Sequence, residues 1–181
     1  DKVAQNLQEA KPTIMTAVPR LYEALHDRIQ RGVQQSGGLK KYLFDLTLEL
    51  GRKERVEKKP LSLTEKLSNM LVDHAVRNKV SMRFGGRLKA FVSGGAALNP
   101  DIGNFFLSLG VNILQGYGQT EASPIISCNR PGNIRIETVG PALKDVEIKI
   151  ADDGEILVRG ELVMKGYWKD QIATKAAIKD G

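Results

Sequence analysis

The chain has 181 residues and a mass of 19.9 kDa, which is enough to bury one sizeable core. With 41% hydrophobic and 27% charged residues, 18 glycines and 7 prolines, the composition is that of a globular protein and excludes collagen-like, mucin-like and linker sequences. The single cysteine, Cys128, excludes an internal disulfide, and no cluster of cysteine and histidine offers a zinc site. We therefore expect a cytoplasmic protein.

No run approaches the roughly 20 apolar residues that cross a bilayer, and the first residues lack the apolar core of a signal peptide. We therefore expect a chain that neither spans a membrane nor is exported. It starts at Asp1 without a methionine and stops at Gly181 without an evident closing element. Both ends are expected to lie within a longer protein, so that this chain is a central fragment.

The net charge of +6 is concentrated in one segment. Between Arg31 and Lys89 there are 14 basic and 6 acidic residues, so the positive excess belongs to this segment. Charge runs are usually solvated faces, but they also bind anionic membranes or nucleic acids. Few aromatic residues and no RNA-binding signature accompany this one. We rank a solvated helical face first and peripheral membrane contact second, and we expect no nucleic-acid partner.

The first half of the chain predicts one strand followed by helices. Residues 13–18 are apolar and β-branched between two prolines, as in a buried strand. Apolar residues at helical spacing then predict amphipathic helices over 21–33 and 39–50, with leucines that face the core or pair helices. A capping box opens a further helix over 62–75. The region from about 31 to 85 is interpreted as a helical insertion.

The next region predicts a strand-helix-strand unit. A strand at 88–92 leads into a loop of small residues at 93–97, and Asn99 followed by proline favours a helix start. A second strand follows at 111–114. A crossover connection makes these two strands parallel, and the first predicted strand gives the sheet a third.

Two glycine-containing loops follow these strands, at 93–97 and 116–121. Parallel strands end at the same edge of a sheet, where ligands bind. The two loops are therefore expected to border one crevice.

The spacing of apolar residues changes in the last part of the chain. From about residue 139 apolar and charged residues alternate, and a turn at 152–154 predicts an antiparallel hairpin. We therefore divide the chain into an α/β part, residues 1–133, and the start of a β-rich unit, residues 134–181.

The loop at 116–121 combines residue types that suit a nucleotide. Glycine backbone can approach a ligand closely, Tyr117 offers a flat face for a purine, and Thr120 offers a hydroxyl. Glu121 would repel phosphate unless a cation such as Mg²⁺ lies between them. The alternative is a sharp turn, with Tyr117 in the core and Glu121 in solvent. For the loop at 93–97 the alternative is close packing of strand on helix.

Three ordered motifs resemble the AMP-forming adenylating enzymes, which include acyl-CoA synthetases, firefly luciferase and peptide-synthetase adenylation domains. Residues 116–121 match the Tyr-Gly-x-Thr-Glu motif of that family, and residues 93–98 look like its adenine-side loop. Residues 154–168 are similar to its Gly-Glu-Leu-x-Val-x-Gly and Gly-Tyr motifs. Residues 12–25 and the helical insertion most resemble a long-chain fatty-acid CoA ligase.

The resemblance implies a fold and a reaction. The fold is α/β: a parallel strand-helix-strand core with a helical insertion, then a small antiparallel β-unit, within the large N-terminal domain of an adenylating enzyme. A fatty-acid carboxylate attacks the α-phosphate of Mg·ATP, pyrophosphate leaves, and coenzyme A or an acyl carrier protein captures the acyl-adenylate. The implied substrates and cofactors are a long-chain fatty acid, ATP, Mg²⁺ and coenzyme A.

The resemblance also implies residue roles. Thr120 would hold phosphate oxygen and Glu121 would help to hold Mg²⁺, so both are catalytic candidates. The implied nucleotide-binding residues are Gly95, Ala96, Ala97, Tyr117 and Thr120. The residues implied to lie near the acyl group are Gly116, Gly118 and Gln119.

Other chemistry-bearing residues are expected to be structural. His26 and His74 lie on predicted helices without a partner motif, and Cys128 has no histidine at motif spacing. For Tyr167 and Trp168 we rank packing against the β-unit first and a place in the lining of a site second.

Parts of the family's machinery are absent from this sequence. They are the phosphate loop with its lysine, the Thr-Gly-Asp that holds ribose, and the mobile C-terminal domain with its catalytic lysine. We therefore expect the chain alone to bind nucleotide weakly and not to turn over. The alternative function is a non-catalytic membrane-surface or partner-binding module that uses the basic segment.

Overall fold

The computed structural model describes residues 2–179. Its helices are α1 (Lys2–Ala10), α2 (Pro19–Ser36), α3 (Gly38–Gly51), α4 (Leu63–Val72), α5 (Asn78–Arg83), α6 (Pro100–Ser108) and α7 (Gln171–Ala177). Its strands are β1 (Ile14–Ala17), β2 (Ala90–Ser93), β3 (Ile113–Gly118), β4 (Ile125–Cys128), β5 (Glu147–Ile150) and β6 (Ile156–Arg159). No helix in this part of the chain is both long and apolar enough to cross a bilayer.

The main sheet has the strand order β1-β2-β3-β4. The first three strands are parallel, with Thr16 beside Val92 and Val92 beside Leu114, which confirms the predicted parallel core. The fourth strand, β4, returns antiparallel to β3. The strands β5 and β6 form the predicted antiparallel hairpin as a separate two-stranded sheet.

The core forms where α2 and α6 cover the sheet. The buried ring of Tyr22 on α2 meets Phe91 of β2 edge-on, with 5.4 Å between ring centroids, and its hydroxyl donates to the Val92 carbonyl at 3.1 Å. Asn99 caps α6 as predicted, its side chain accepting from the Asp101 N–H. Phe106 of α6 is fully buried. These contacts fix the helices against the strands that carry the two glycine-containing loops.

The helical insertion is tied to the core by one buried cation. A π-helical turn, Asp73–Arg77, joins α4 to α5. From it Arg77 donates to the carbonyl of Ser108 at the end of α6 and to the carbonyl of Thr47 on α3, each at 3.2 Å. The predicted capping box at the start of α4 is present. The predicted start of the insertion, residue 31, falls inside α2.

Besides β4 and α7, which were not predicted, three details differ from the sequence prediction. The first is α1, which was not predicted and is held through its buried residue Leu7. Second, Leu39 of α3 is 72% exposed and does not join the core that the leucine spacing implied. Third, residues 116–118, which were predicted as part of a loop, form the end of β3, because β4 pairs with them.

A network of buried polar groups holds the chain that follows β4. The Asn129 side-chain amide donates to the carbonyl of Thr138 at 2.6 Å and to that of Arg135 at 3.1 Å, and its oxygen accepts from the Arg135 N–H at 3.0 Å. Asn129 is buried, so water cannot replace these partners. The network therefore fixes residues 135–138 against the sheet.

We expect Asn129→Ala to lower the free energy of unfolding by about 2–4 kcal/mol, because it removes the hydrogen bonds of a buried side chain and takes the acceptor away from the Arg135 N–H. Chemical denaturation of the full-length protein measures this change. Asn133→Ala, which removes an exposed amide from the same loop, is the matched control and should change stability by less than about 0.5 kcal/mol. Equal stabilities for the two variants would contradict this account of the network.

Candidate functional site

The two glycine-containing segments begin beside each other on neighbouring strands. Ser93, the last residue of β2, pairs with Gln115 in β3. The two parallel strands therefore run towards the same carboxyl edge of the sheet. Gly95, Ala96 and Ala97 are exposed there, as are Gly118, Gln119 and Thr120. Gly116, Tyr117 and Glu121 are half-buried. The structure thus brings all nine candidate residues to one open edge.

Gln115 joins the two segments, although the sequence analysis assigned it no role. Its side-chain oxygen accepts from the Leu98 N–H at 2.7 Å, and its amide donates to the Ile136 carbonyl at 2.9 Å. Gln115 is buried, so both bonds are shielded from water. It therefore fixes the loop at 93–97 relative to β3 and to the chain after β4. A polar residue directly after an apolar strand was the signal that could have identified it.

The loop at 93–97 presents its backbone outward. Gly95 has a φ of 84°, in the left-handed region that favours glycine. The Gly94 N–H donates to the Ala17 carbonyl at 3.3 Å, which holds the loop over the end of β1. The Ser93 hydroxyl is buried and has no hydrogen-bond partner among the described residues. The loop can therefore receive a flat ligand against exposed backbone.

The segment after β3 reverses over a short distance. The Gln119 N–H donates to the Pro124 carbonyl at 2.8 Å, and a 3-10 turn, Thr120–Ala122, projects from the strand end. Ser123 closes the reversal with a φ of 56°. The exposed Thr120 hydroxyl and the Glu121 carboxylate therefore stand on a short, constrained projection beside the other loop.

Tyr167 also contributes to the site, a place that the sequence analysis ranked below packing against the β-unit. Its hydroxyl donates to Oε1 of Glu121 at 2.8 Å, and the Met164 N–H donates to the Glu121 carbonyl, also at 2.8 Å. Tyr167 therefore lines the candidate site, which was the lower-ranked of its two predicted places. The prediction that Trp168 packs against the β-unit is wrong, because its side chain is 88% exposed. Tyr167 and Glu121 are 46 positions apart in the sequence, and no spacing signal indicates such a contact.

Hydrogen bonds hold Glu121 in its charged form. Its own backbone N–H and the Tyr167 hydroxyl keep the pKa of the Glu121 carboxyl below its usual value. The same contact raises the pKa of the Tyr167 hydroxyl, so that group remains a donor at neutral pH. The pair therefore presents an oriented, ionised carboxylate at the edge of the sheet.

The protein groups at this site would bind Mg²⁺ only together with phosphate oxygens of a substrate. Among residues 2–179 there is no group of three or more histidine, cysteine, aspartate or glutamate side chains that could hold a metal ion. Mg²⁺ commonly takes one or two carboxylates and completes its shell with substrate phosphates and water. Glu121 beside exposed backbone matches that mode and does not match an all-protein cage.

We expect Tyr167→Phe to raise the pKa of the Glu121 carboxyl towards its ordinary value, because one of its two stabilising hydrogen bonds is lost. Carbon-13 NMR titration of full-length protein labelled at glutamate carboxyls measures the shift, and Glu121→Gln assigns the signal. Tyr42→Phe removes an exposed hydroxyl elsewhere and should leave the titration unchanged. An unchanged or lowered pKa in Tyr167→Phe would contradict the role given to this hydroxyl.

The chain resembles known proteins in family, in sequence and in structure. A sequence model of the AMP-binding enzyme family matches residues 1–168. The chain is 32% identical over 171 residues to a long-chain fatty-acid CoA ligase of Mycobacterium bovis, covering 94% of this chain and 28% of that protein. It is 33% identical over 194 residues to the peroxisomal long chain acyl-CoA synthetase 6 of Arabidopsis thaliana, covering 99% and 27%.

Solved structures share the fold. A benzoate CoA ligase of Burkholderia xenovorans superposes with a TM-score of 0.60 at 22% identity, over 97% of this chain and 28% of that one. A long-chain fatty-acid CoA ligase of Archaeoglobus fulgidus gives 0.54 at 20% identity, over 96% and 30%. The chain thus spans less than a third of each of these four proteins.

Proposed function

The chain belongs to the family of AMP-binding enzymes, and on that premise we propose that the full-length protein is an ATP-dependent long-chain fatty-acid CoA ligase. It would activate the acid as an acyl-adenylate with release of pyrophosphate and then transfer the acyl group to coenzyme A. The long-chain relatives, which are 32% and 33% identical, support this choice of substrate class. They give no support to the alternative of a non-catalytic module.

The proposal rests on the way that two segments are held together at the carboxyl edge of the sheet. Gln115 holds the exposed loop at 93–97 beside the segment that carries Thr120 and Glu121. Adenylation needs a nucleotide, a metal and a carboxylate brought together in fixed orientation, which is a task of positioning and charge neutralisation. A rigid edge with outward backbone and one oriented carboxylate suits that task.

Each candidate residue then has a proposed role. The backbone of Gly95, Ala96 and Ala97 would line the adenine, with Tyr117 stacked on its face. The Thr120 hydroxyl would donate to phosphate oxygen. The residues proposed to lie near the acyl group are Gly116, Gly118 and Gln119. Glu121, oriented by Tyr167, would hold Mg²⁺, which neutralises phosphate charge when it is bound.

Thioester formation tests the proposed function. Full-length protein incubated with ATP, Mg²⁺, coenzyme A and an equimolar mixture of short, medium and long fatty acids should yield AMP and mainly the long-chain acyl-CoA, detected by mass spectrometry. Reactions without ATP are the blank. Preference for a short or aromatic acid would contradict the proposed substrate class, and a product without acyl-CoA would contradict the proposed acceptor.

We also propose that the protein is cytoplasmic and lies peripherally on a membrane. Four large side chains on α4 point outward, each between 65% and 81% exposed: Leu63, Leu67, Met70 and Leu71. Lys66 lies beside them on the same helix and is exposed. An apolar stripe edged by a cation suits the surface of an anionic bilayer.

We expect the full-length protein to sediment with vesicles that contain phosphatidylglycerol, and Leu67→Asp to reduce the bound fraction at least about fivefold, since a charge would enter the apolar stripe. Ile172→Asp, at an exposed apolar site on α7, is the matched control. Equal binding by the two variants would rule out α4 as the contact surface.

A further inference from the structure

A cavity of about 650 Å³ lies in the helical layer, between α1, α2, α3 and α5. Pockets for small molecules span about 300–1,000 Å³, so this one has the volume of a ligand site. Its lining comes from residues 4–8, 25–36, 40–44 and 75–84. None of these belongs to the loops at 93–97 and 116–121. The cavity is therefore separate from the candidate adenylation site.

The walls of the cavity are apolar. They include Leu25, Ile29, Val33, Phe44, Val80 and Phe84. The four aliphatic members of this group pack against the core on one side and yet remain half-buried, because the space beside them holds no protein atoms. The cavity opens to solvent, and a cleft of this volume with apolar walls accepts apolar ligands.

The rim of the same cavity is cationic. Arg28, Lys40, Lys79 and Arg83 line it, and its described lining residues include no aspartate or glutamate. Three of them, Lys40, Lys79 and Arg83, make no ion pair with any residue in the range 2–179. Basic groups grouped in this way raise the local concentration of anions. An apolar interior below a cationic rim fits a molecule that has both properties.

We propose that this cavity binds a single-chain amphiphile with an anionic head group, the chain against α2 and α5 and the head at the rim cations. The head can be a carboxylate or a phosphate monoester, since both are oxyanions that lysine and arginine bind. The site goes beyond the proposed ligase reaction, because occupancy there requires neither ATP nor Glu121. It would let the protein hold a lipid-like anion away from its reaction centre.

Photo-crosslinking to the full-length protein without ATP tests the proposal. The probe is palmitate with a diazirine in its chain, and labelled peptides are located by mass spectrometry. Label is expected on peptides of α2 and α5. Excess monododecyl phosphate should remove that label if any anionic head suffices, and should leave it if the site requires a carboxylate. A quaternary ammonium probe of equal chain length should label these peptides at least about tenfold less.

Gly32→Leu supplies the decisive variant. No heavy atom lies within 4 Å of a Cβ built at Gly32, which lines the cavity, so leucine would occupy the space without a clash. It also replaces glycine within a helix, which favours folding. Label on α2 and α5 should fall at least about fivefold. Gln35→Leu, which adds the same side chain at an exposed position outside the lining, should leave the label unchanged.

The rim is tested in the same way. Lys79→Glu combined with Arg83→Glu should reduce labelling by the anionic probe, and Arg87→Glu, outside the lining, should not. Equal labelling by the cationic probe, no effect of Gly32→Leu, or label only on other peptides would overturn the proposal. An absence of label on α2 and α5 would also overturn it, since another segment of the full-length protein or a second copy would then fill the cavity. Thioester formation is measured separately, so failure of the ligase function leaves this test intact.

Discussion

Glu121→Gln in the full-length protein is expected to lower acid-dependent exchange of pyrophosphate into ATP by at least about 100-fold, the size of effect seen when one oriented charge-stabilising group is lost. The amide keeps the shape of the side chain and removes the charge that would hold Mg²⁺ beside the phosphates. Tyr167 and the backbone hold this carboxylate in its ionised form. The loss should therefore be larger than that caused by Tyr167→Phe, which leaves the carboxylate in place.

The matched control for this prediction is Glu161→Gln, which neutralises an exposed carboxylate elsewhere on the surface. Its exchange rate should stay within about twofold of the wild-type rate. Added Mg²⁺ should recover part of the activity of Glu121→Gln if the lost group holds the metal. An exchange rate for Glu121→Gln close to that of the control would show that this carboxylate is not part of the reaction centre.

Gly118→Ala is expected to destabilise the full-length protein by about 2–4 kcal/mol and to abolish most of the exchange activity. A Cβ at this position would lie 1.8 Å from the Pro124 carbonyl oxygen and 2.9 Å from the Ile125 Cα. Both are backbone atoms, so no side-chain rotation relieves the clash. Either β4 must separate from β3 or the projection that carries Thr120 and Glu121 must move.

Thermal and chemical unfolding measure the loss of stability. Gly32→Ala is the control, because its Cβ meets no heavy atom within 4 Å and the substitution lies within helix α2. It should leave stability unchanged or raise it by up to about 1 kcal/mol. A Gly118→Ala protein with wild-type stability and wild-type exchange would show that β3 and β4 separate easily, contrary to the close pairing described here.

Patterns within short stretches of the sequence predicted the helices and strands whose formation depends on neighbouring residues. The spacing of apolar residues located α2 and α3, and the capping box at Ser62 located the start of α4. The alternation of apolar and charged residues located the hairpin of β5 and β6. In each case the pattern reflects which face of one element meets the core, and that information lies within a few residues.

Features that depend on distant partners escaped the sequence analysis. Gly116 and Gly118 favour a turn locally, but pairing with β4 extends β3 through both. The shared edge of the two glycine-containing loops followed from the rule for parallel strands. The link through Gln115 and the support of Glu121 by Tyr167 did not, because each joins segments that only the folded chain brings together.

Adenylation is tested by exchange of labelled pyrophosphate into ATP by the full-length protein without coenzyme A, across short, medium and long fatty acids. The proposed function predicts exchange that requires Mg²⁺ and an acid and is fastest with long acids, with none from the 181-residue chain alone. Folded full-length protein that exchanges with no acid would contradict it.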